Sequence, residues 1–248
     1  MKKYIGTKKV EAEPMNLGEF INKSGRNPYA NDGKMHGDDE PGYFVKYADG
    51  YESWSPAETF EKAYKVADTL LDRLTIELDE LIAKYAKYTI FVDSDKFRSV
   101  LKEDYPAFLL WLQRGIMKWY LQTLSCRMNI VGNISQDVSI KQMPFGIAIE
   151  ALNFGLAIRR KGWNGKGLFV VKQVPSHIES GVIPKMQSLP QSAKDLIMNG
   201  KGFIDYTSQC LIYNENTGRA DSWVASVSDM FAEDWEIVIN NGTDNTDD

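Results

Sequence analysis

The stretch MPFGIAIEALNFGLAIRRKGWNGKGLFVV, residues 143–171, decides the fold of the C-terminal part of the chain. Within FGIAIEALNF, one helical face carries the side chains of Phe145, Ala148, Ile149 and Leu152, and Gly155 is placed to end that helix. LAIRR and LFVVKQV are typical of strands, and the glycine-rich segment between them is typical of a tight turn. The stretch therefore predicts a helix followed by two strands.

The segments that follow extend this pattern. GFIDY, QCLIYN, RADSWVA and WEIVI predict further strands. SLPQSAKDLIMNGKG predicts an inserted helix with Ser188 as its cap and Gly200 as its stop, and SVSDMFAEDW predicts a helical turn capped by Ser226. We expect an α+β domain with an antiparallel sheet over residues 141–239, followed by a disordered acidic tail over residues 240–248.

Residues 1–66 predict a small N-terminal α+β module. YIGTKKVEAEPM indicates a strand that Pro14 ends, and the polar NKSGRNPYANDGKMHGDDEPG indicates a loop. GYFVKYADGYESW is typical of a hairpin. SPAETFEKAY predicts a helix whose capping box is formed by Ser55 and Glu58.

Residues 67–130 predict a central antiparallel helical hairpin. We expect a break at YTIFVDSD, an N-cap at Ser94 for the next helix, and a kink or a helix start at Pro106. A linker follows at residues 131–140. Apolar side chains share one face of the first helix, and this stripe favours packing over a cofactor site; its members are Leu70, Leu74, Leu78, Leu81 and Tyr85.

Composition excludes several classes of function. The net charge of −5 and the pI near 5.3 disfavour a nucleic-acid-binding protein, and no apolar run is long enough to span a membrane. The two cysteines and the two histidines have no metal-ligand spacing, and no GxSxG or HExxH motif is present. We therefore expect no metal, no cofactor and no catalytic residues, and binding is the simpler interpretation.

The turn RRKGWNGKG, residues 159–167, supports two interpretations. Its glycine spacing matches neither the dinucleotide GxGxxG motif nor the P-loop, so one reading is a plain turn between strands. In the other, Trp163 stacks on a purine while Arg159, Arg160 or Lys166 binds phosphate oxygens. Because neighbouring residues of a strand point to opposite sides, at most one of the two arginines faces a ligand.

The stretch SWVASVSDMFAEDW, residues 222–235, also has two readings. Asp229 and Asp234 either accept hydrogen bonds from ribose hydroxyls or serve as a helix cap and a surface carboxylate. Trp223 offers a second aromatic face for a base.

These segments resemble the second Thoeris anti-defence family of phage proteins. The FGxAIEAL opening, the GWNGK turn, the FIDY strand and the closing stretch recur in that order, over about 100 C-terminal residues. The closing stretch departs from the family pattern at Ser222, Val227 and Ser228, which puts the choice of ligand in doubt. Positions that match the motif are Trp163, Asn164, Trp223, Ala225, Ser226, Asp229, Asp234 and Trp235.

The resemblance implies a function. Members of the family are non-enzymatic sponges that bind glycocyclic ADP-ribose signals made by bacterial TIR-domain proteins, and some bind cyclic dinucleotides. They are homotetramers with ligand pockets at subunit contacts. The resemblance therefore implies a homotetrameric sponge for a cyclic nucleotide in the bacterial host cytoplasm, with Trp163, Asn164, Arg159, Arg160, Lys166, Trp223, Ser226, Asp229 and Asp234 as candidate ligand-binding residues.

Other interpretations stay open. The chain is alternatively a structural or adaptor protein without a ligand, or an enzyme that cleaves the signal. The segment from Leu71 to Leu124 is similar to a helical-hairpin family of crAss-like phages, and residues 1–66 are similar to a module common in phage proteins. Neither resemblance implies an activity.

Overall fold

A computed structural model of the protein describes residues 9–29, 36–134, 139–165 and 167–238. The chain divides into two compact units, Met1–Ala83 and Lys84–Asp248. The predicted fold class is confirmed: the protein mixes helix and strand, with a helical region in the centre of the chain and an antiparallel sheet at the C-terminal end. The predicted tail at residues 240–248 lies outside the described residues, and the predicted module boundaries stay predictions.

The N-terminal unit contains a three-stranded antiparallel sheet. Pro14 ends the first strand, as predicted, and the predicted hairpin is formed by the next two strands. Trp54 is buried against Leu17, Phe20 and Phe44, and its indole Nε1 donates to the carbonyl of Met15 at 2.8 Å. The elements are β1 (Val10–Pro14), α1 (Leu17–Ser24), β2 (Gly42–Tyr47), β3 (Glu52–Pro56) and α2 (Ala57–Ala63).

Two predictions for this unit are wrong. The segment predicted as a loop from Asn22 begins inside α1, whose N-cap Asn16 accepts from the backbone N–H of Glu19 at 2.8 Å. Ser55 does not cap α2, because it lies in β3 opposite Tyr43; the helix begins after Pro56 without a side-chain cap.

The central region contains two long helices and a short one between them. They are α3 (Leu70–Val92), the short α4 (Lys96–Val100) and α5 (Asp104–Gly132). Of the stripe predicted in α3, Leu74 and Leu81 are buried whereas Leu70 is exposed. As predicted, Pro106 lies at the start of a helix, in the first turn of α5, where its missing N–H has no intrahelical partner to lose.

Three boundaries in this region differ from the predictions. The break expected at YTIFVDSD is wrong for the part of this stretch up to Val92, because α3 continues to that residue. Ser94 does not cap α4; Asp95 occupies that position, and the Ser94 hydroxyl donates to the carbonyl of Phe91 at 2.7 Å. The predicted linker begins inside α5, which ends only at Gly132; residues 135–138 lie outside the described residues.

A five-stranded antiparallel sheet forms the core of the C-terminal part. Its strands are β4 (Ala157–Arg160), β5 (Leu168–Lys172), β8 (Cys210–Asn214), β9 (Arg219–Trp223) and β10 (Trp235–Val238). Their spatial order is β10-β4-β5-β8-β9, so the strand that comes last in sequence pairs with the one that comes first. The helix over FGIAIEALNF packs on one face through Ala148, Ala151 and Leu152, and Gly155 ends it with a positive φ of 101°.

The other elements are short. The helix on the sheet is α6 (Phe145–Phe154), and the inserted helix α7 (Gln191–Asn199) stops at Gly200 as predicted but is preceded by Pro190, not capped by Ser188. The helical turn α8 (Val227–Met230) is capped by Ser226, as predicted. β6 (Ser176–Ile178) pairs with β7 (Ile204–Tyr206), and only β7 was expected from the sequence. No helix in the described ranges is both long and apolar enough to cross a bilayer.

Candidate functional site

The turn that follows β4 is hydrogen-bonded to the residue just before β10, the last strand of the domain. β4 and β10 pair antiparallel with Arg160 opposite Trp235, so the turn lies beside the residues that enter β10. The backbone N–H of Lys161 donates to the carbonyl of Asp234 at 3.0 Å, and that of Gly162 donates to the Asp234 carboxylate at 2.7 Å. A Cβ at Gly162 would lie 2.7 Å from that carboxylate oxygen, so any larger residue there would displace the carboxylate.

Arg160 bridges the two aspartates of the closing stretch. Its Nε donates to Asp234 Oδ1 at 2.8 Å, and its Nη1 donates to Asp229 Oδ1 at 3.0 Å. The three side chains are separated by 69 and 74 residues in sequence and meet only through the strand pairing. Charged groups in a partly buried position need such partners, because an unpaired charge removed from water is costly.

The titration of these groups reflects their environment. Hydrogen bonds from Arg160 to Asp234 and Asp229 raise the pKa of Arg160, although its own burial opposes this. Burial alone raises the pKa of Asp229, but bonds from Ser226, Arg160 and Trp163 outweigh burial and leave that pKa below its ordinary value. For Asp234, burial is likewise outweighed by bonds from Arg160 and the Gly162 N–H, so its pKa is also lowered. Both carboxylates are therefore held ionised.

Asp229 accepts more hydrogen bonds than the other residues of the network, and only 7% of its surface is exposed. Its Oδ1 accepts from Arg160 and, at 3.3 Å, from the indole Nε1 of Trp163. Its Oδ2 accepts from the Ser226 N–H at 3.0 Å and from the Ser226 hydroxyl at 2.7 Å. A carboxylate offers about four acceptor positions. The described bonds fill those of Asp229, whereas Asp234 accepts from Arg160, the Gly162 N–H and its own backbone N–H and keeps acceptor capacity.

Three tryptophans pack edge to face beside this network. The ring centres of Trp163 and Trp235 lie 5.4 Å apart at 78°, and those of Trp223 and Trp235 lie 6.0 Å apart at 79°. Trp235 is fully buried, and its Nε1 donates to the carbonyl of Asp229 at 3.0 Å. Trp163 and Trp223 are half-buried, so part of each ring remains accessible at the edge of the cluster.

The sequence-predicted site residues separate into two groups. Arg160, Trp163, Trp223, Ser226, Asp229 and Asp234 are brought together in the network and the aromatic cluster. Asn164 is exposed on the turn beside them. Arg159 points to the opposite face of the sheet, where its Nε lies 3.4 Å from the Glu236 carboxylate, in agreement with the alternation expected for adjacent residues of a strand. Lys166 lies outside the described residues.

Two features were missed by the sequence reasoning. Around α8 the apolar side chains of Val224 and Phe231 are 85% and 82% exposed, and Val227 is also exposed. A separate open depression of about 420 Å³ lies at β6 and β7, where His177 Nδ1 and Asp205 Oδ1 are 2.6 Å apart. The sequence carried a signal only for the first, because Val224, Val227 and Phe231 are apolar residues in an otherwise polar stretch.

Comparison with known proteins identifies this domain. The Thoeris anti-defense 2-like domain matches residues 143–238, which run from the start of α6 to the end of β10. Over 102 residues the chain is 31% identical to Thoeris anti-defense 2 of Bacillus phage SP01, a match that covers 39% of this chain and 96% of that protein. The chain belongs to the Thoeris anti-defense 2 family.

The Thoeris anti-defense 2-like domain therefore contains the whole Arg160–Asp229–Asp234 network and the three packed tryptophans. The predicted resemblance is confirmed for this part of the chain. A second match, to the family named Sequestin, covers residues 68–130, which include α3, α4 and most of α5. The chain thus matches two families, each over a separate segment.

Proposed function

We propose that the chain is a phage anti-defence protein that binds a cyclic nucleotide immune signal and sequesters it without cleaving it. The proposed ligand is of the glycocyclic ADP-ribose type. The observation that carries the proposal is the match to Thoeris anti-defense 2 over nearly the full length of that protein. A phage protein with this role acts in the cytoplasm of the bacterial host.

The turn supplies the ligand contacts in this proposal. Trp163 offers the accessible part of its ring to a base, and Asn164 is exposed next to it for polar contacts with ribose or phosphate. The network beneath them holds the turn in place before a ligand arrives, which lowers the entropic cost of binding. Lys166 and the N–H groups of Gly165 and Gly167 are the proposed anion donors, since the Gly162 N–H already binds Asp234.

The two aspartates have different parts in the proposal. Asp234 has spare acceptor capacity and a side chain that is 32% exposed, so it is the better partner for a ribose hydroxyl. Asp229 instead positions Arg160 and Trp163. Arg160 offsets one of the two carboxylate charges and so weakens their repulsion of an anionic ligand. Arg159, on the other face of the sheet, would bind a ligand only at a contact with another subunit.

A homotetramer with pockets at subunit contacts completes the proposal. Val224, Val227 and Phe231 are exposed within a few residues of Ser226 and Trp223, and apolar side chains of this kind are typical of an interface core. Packing a second subunit there would enclose the accessible edge of the aromatic cluster. Such an enclosure supplies the buried surface that tight binding of a small ligand needs.

The match named Sequestin supports sequestration over the other two interpretations, an adaptor or a cleaving enzyme. Among the described residues, no group of three or more His, Cys, Asp or Glu side chains is arranged to hold a metal ion. Sequestration asks only for tight binding, without turnover.

One experiment separates the interpretations. The purified full chain is incubated with glycocyclic ADP-ribose or, in parallel, with a cyclic dinucleotide; free ligand is removed, the protein is denatured by heat, and the released compound is analysed by mass spectrometry. Release of intact ligand supports the sponge and identifies which ligand it prefers. Release of a cleaved product shows an enzyme, and no depletion of either ligand by micromolar protein leaves the adaptor.

A further inference from the structure

α5 carries a second apolar face that nothing in the described chain covers. Its buried residues are Ala107, Met117 and Leu124. Another stripe, spaced by four, three, four and four residues, lies roughly 120° around the helix from these, at about 100° per residue. All of its members are exposed: Tyr105, Leu109, Leu112, Ile116 and Tyr120.

The size of this face points to a protein partner. With Phe108, which flanks the stripe and is also exposed, these side chains present roughly 650 Å² of accessible surface, within the range that one partner contributes to a standard interface. Monomeric proteins rarely leave an apolar patch of this size in water. Gly115 lies at the edge of the stripe with no atom near its Cβ position, which leaves a notch for a side chain of a partner helix.

No charged side chain lies within this face between Tyr105 and Tyr120, and one cation lies beyond its C-terminal end. Asp104, the first residue of the helix, lies about 100° around it from Tyr105 and accepts from Arg98 at 2.6 Å, so its charge is already paired and is not part of this face. Arg127 is exposed at the other end, on the same side of the helix as Ile116. Arg127 and Tyr105 are eleven residues from Ile116 in opposite directions.

This arrangement is self-complementary. When two copies of α5 lie antiparallel and cross at Ile116, Arg127 of each copy falls beside Tyr105 of the other, whose ring face attracts a cation. In a parallel pair, Arg127 would face Arg127, which is unfavourable. An interfacial membrane helix would instead need one apolar face and one basic polar face, whereas α5 buries its second face within the chain.

We propose that this face of α5 is covered by the same face of a second copy of the chain, in an antiparallel helix pair centred on Ile116. The pair does not depend on the proposed ligand. Trp119 of α5 packs against the core of the C-terminal domain, so α5 is attached to that domain. Pairing through α5 therefore holds two of these domains in one particle.

The mass of the full chain in solution tests the proposal. We expect the particle mass of Ile116→Lys to fall to half that of the wild type, since two lysines would then meet at the centre of the pair. Ile90→Lys is the matched control, because Ile90 is exposed on a different helix and the same substitution should leave the mass unchanged. Circular dichroism confirms that both variants are folded. A monomeric wild type, or a mass that Ile116→Lys does not change, overturns the proposal.

Cross-linking tests the orientation. In a background of Cys126→Ser and Cys210→Ser, a copy with Tyr105→Cys is mixed with a copy with Arg127→Cys under mild oxidation. The antiparallel pair predicts a disulfide between the two different copies. Cross-links that form only between identical copies contradict it. Binding of a monomeric wild-type chain to vesicles of phosphatidylcholine and phosphatidylglycerol would assign the face to a membrane and also overturn the proposal.

Discussion

The guanidinium of Arg160 donates to the carboxylate of Asp234 at 2.8 Å across the β4–β10 pair, and this bond joins the turn to the closing stretch. Through Asp229 the same guanidinium also reaches the indole of Trp163. The side chain of Arg160 thus links the separate segments of the family motif. The polar residues of the motif are hydrogen-bonded to one another, independently of any ligand.

Removing that side chain should destabilise the protein. Arg160→Ala leaves two partly buried carboxylates without their cation, and we expect the free energy of unfolding to fall by about 3 kcal/mol. Urea denaturation measures this change. Arg159→Ala is the control, because Arg159 is exposed and its loss should cost less than about 0.5 kcal/mol. Equal effects from the two substitutions would contradict the assignment of Arg160 to the network.

Acid should weaken the same network. The pKa values of Asp229 and Asp234 are lowered from an ordinary value of 3.8, so the unfolded chain binds these protons more readily than the folded one. The stabilisation is complete above the ordinary value and is lost as the pH falls through the lower, folded values. Melting temperatures measured between about pH 6 and pH 3 should therefore decline, and Asp234→Asn should show a shallower decline. Identical slopes would exclude Asp234 as a contributor.

Two substitutions of Trp163 distinguish its contribution to stability from its contribution to ligand binding. Trp163→Phe keeps an aromatic ring but loses the bond to Asp229, and we expect a loss of about 1 kcal/mol in stability with ligand affinity reduced by no more than about threefold. Trp163→Ala removes the ring as well, and affinity should fall at least about tenfold if the ring stacks on the base. Calorimetric titration gives both affinities. Full retention of ligand by a folded Trp163→Ala protein would rule out stacking.

Asn164 tests the ligand site without disturbing the fold. The residue is exposed and does not have a positive φ, so Asn164→Ala should leave the melting temperature unchanged. If its amide contacts the ligand, affinity should fall about tenfold. Asn199→Ala is the matched control, on the exposed end of α7. The contact is refuted when both variants bind as tightly as the wild type.

Local signals in the sequence predicted most elements of the sheet domain. Gly155 and Gly200 end their helices, and Ser226 caps α8, because each of these acts on neighbours within a few residues. The same kind of signal was overlooked at Asn16 and Glu19, which form the capping box of α1. It misled at Ser55, where pairing in β3 takes precedence over capping.

The network could not be predicted in the same way. Asp229 and Asp234 have the same side chain and differ in burial and in the number of donors that reach them, which depend on the register of β4 against β10. Nothing local distinguishes a carboxylate that binds Arg160 from one that faces a ligand. Arg159 and Arg160 were separable only because alternation along a strand is itself a local rule.

The pairing of β10 with β4 has a consequence during synthesis. Met143 and Trp235 exchange backbone hydrogen bonds at 2.9 and 3.1 Å, and Trp235 occupies the centre of the core. Trp235 therefore joins the first and last segments of the domain. While a ribosome is still translating the segments before Trp235, Arg160 has no Asp234 to bind and the core has no central indole. A premature stop codon anywhere upstream of Trp235 would therefore remove the central indole and the partner of Arg160, whereas the small N-terminal sheet uses only residues 10–56.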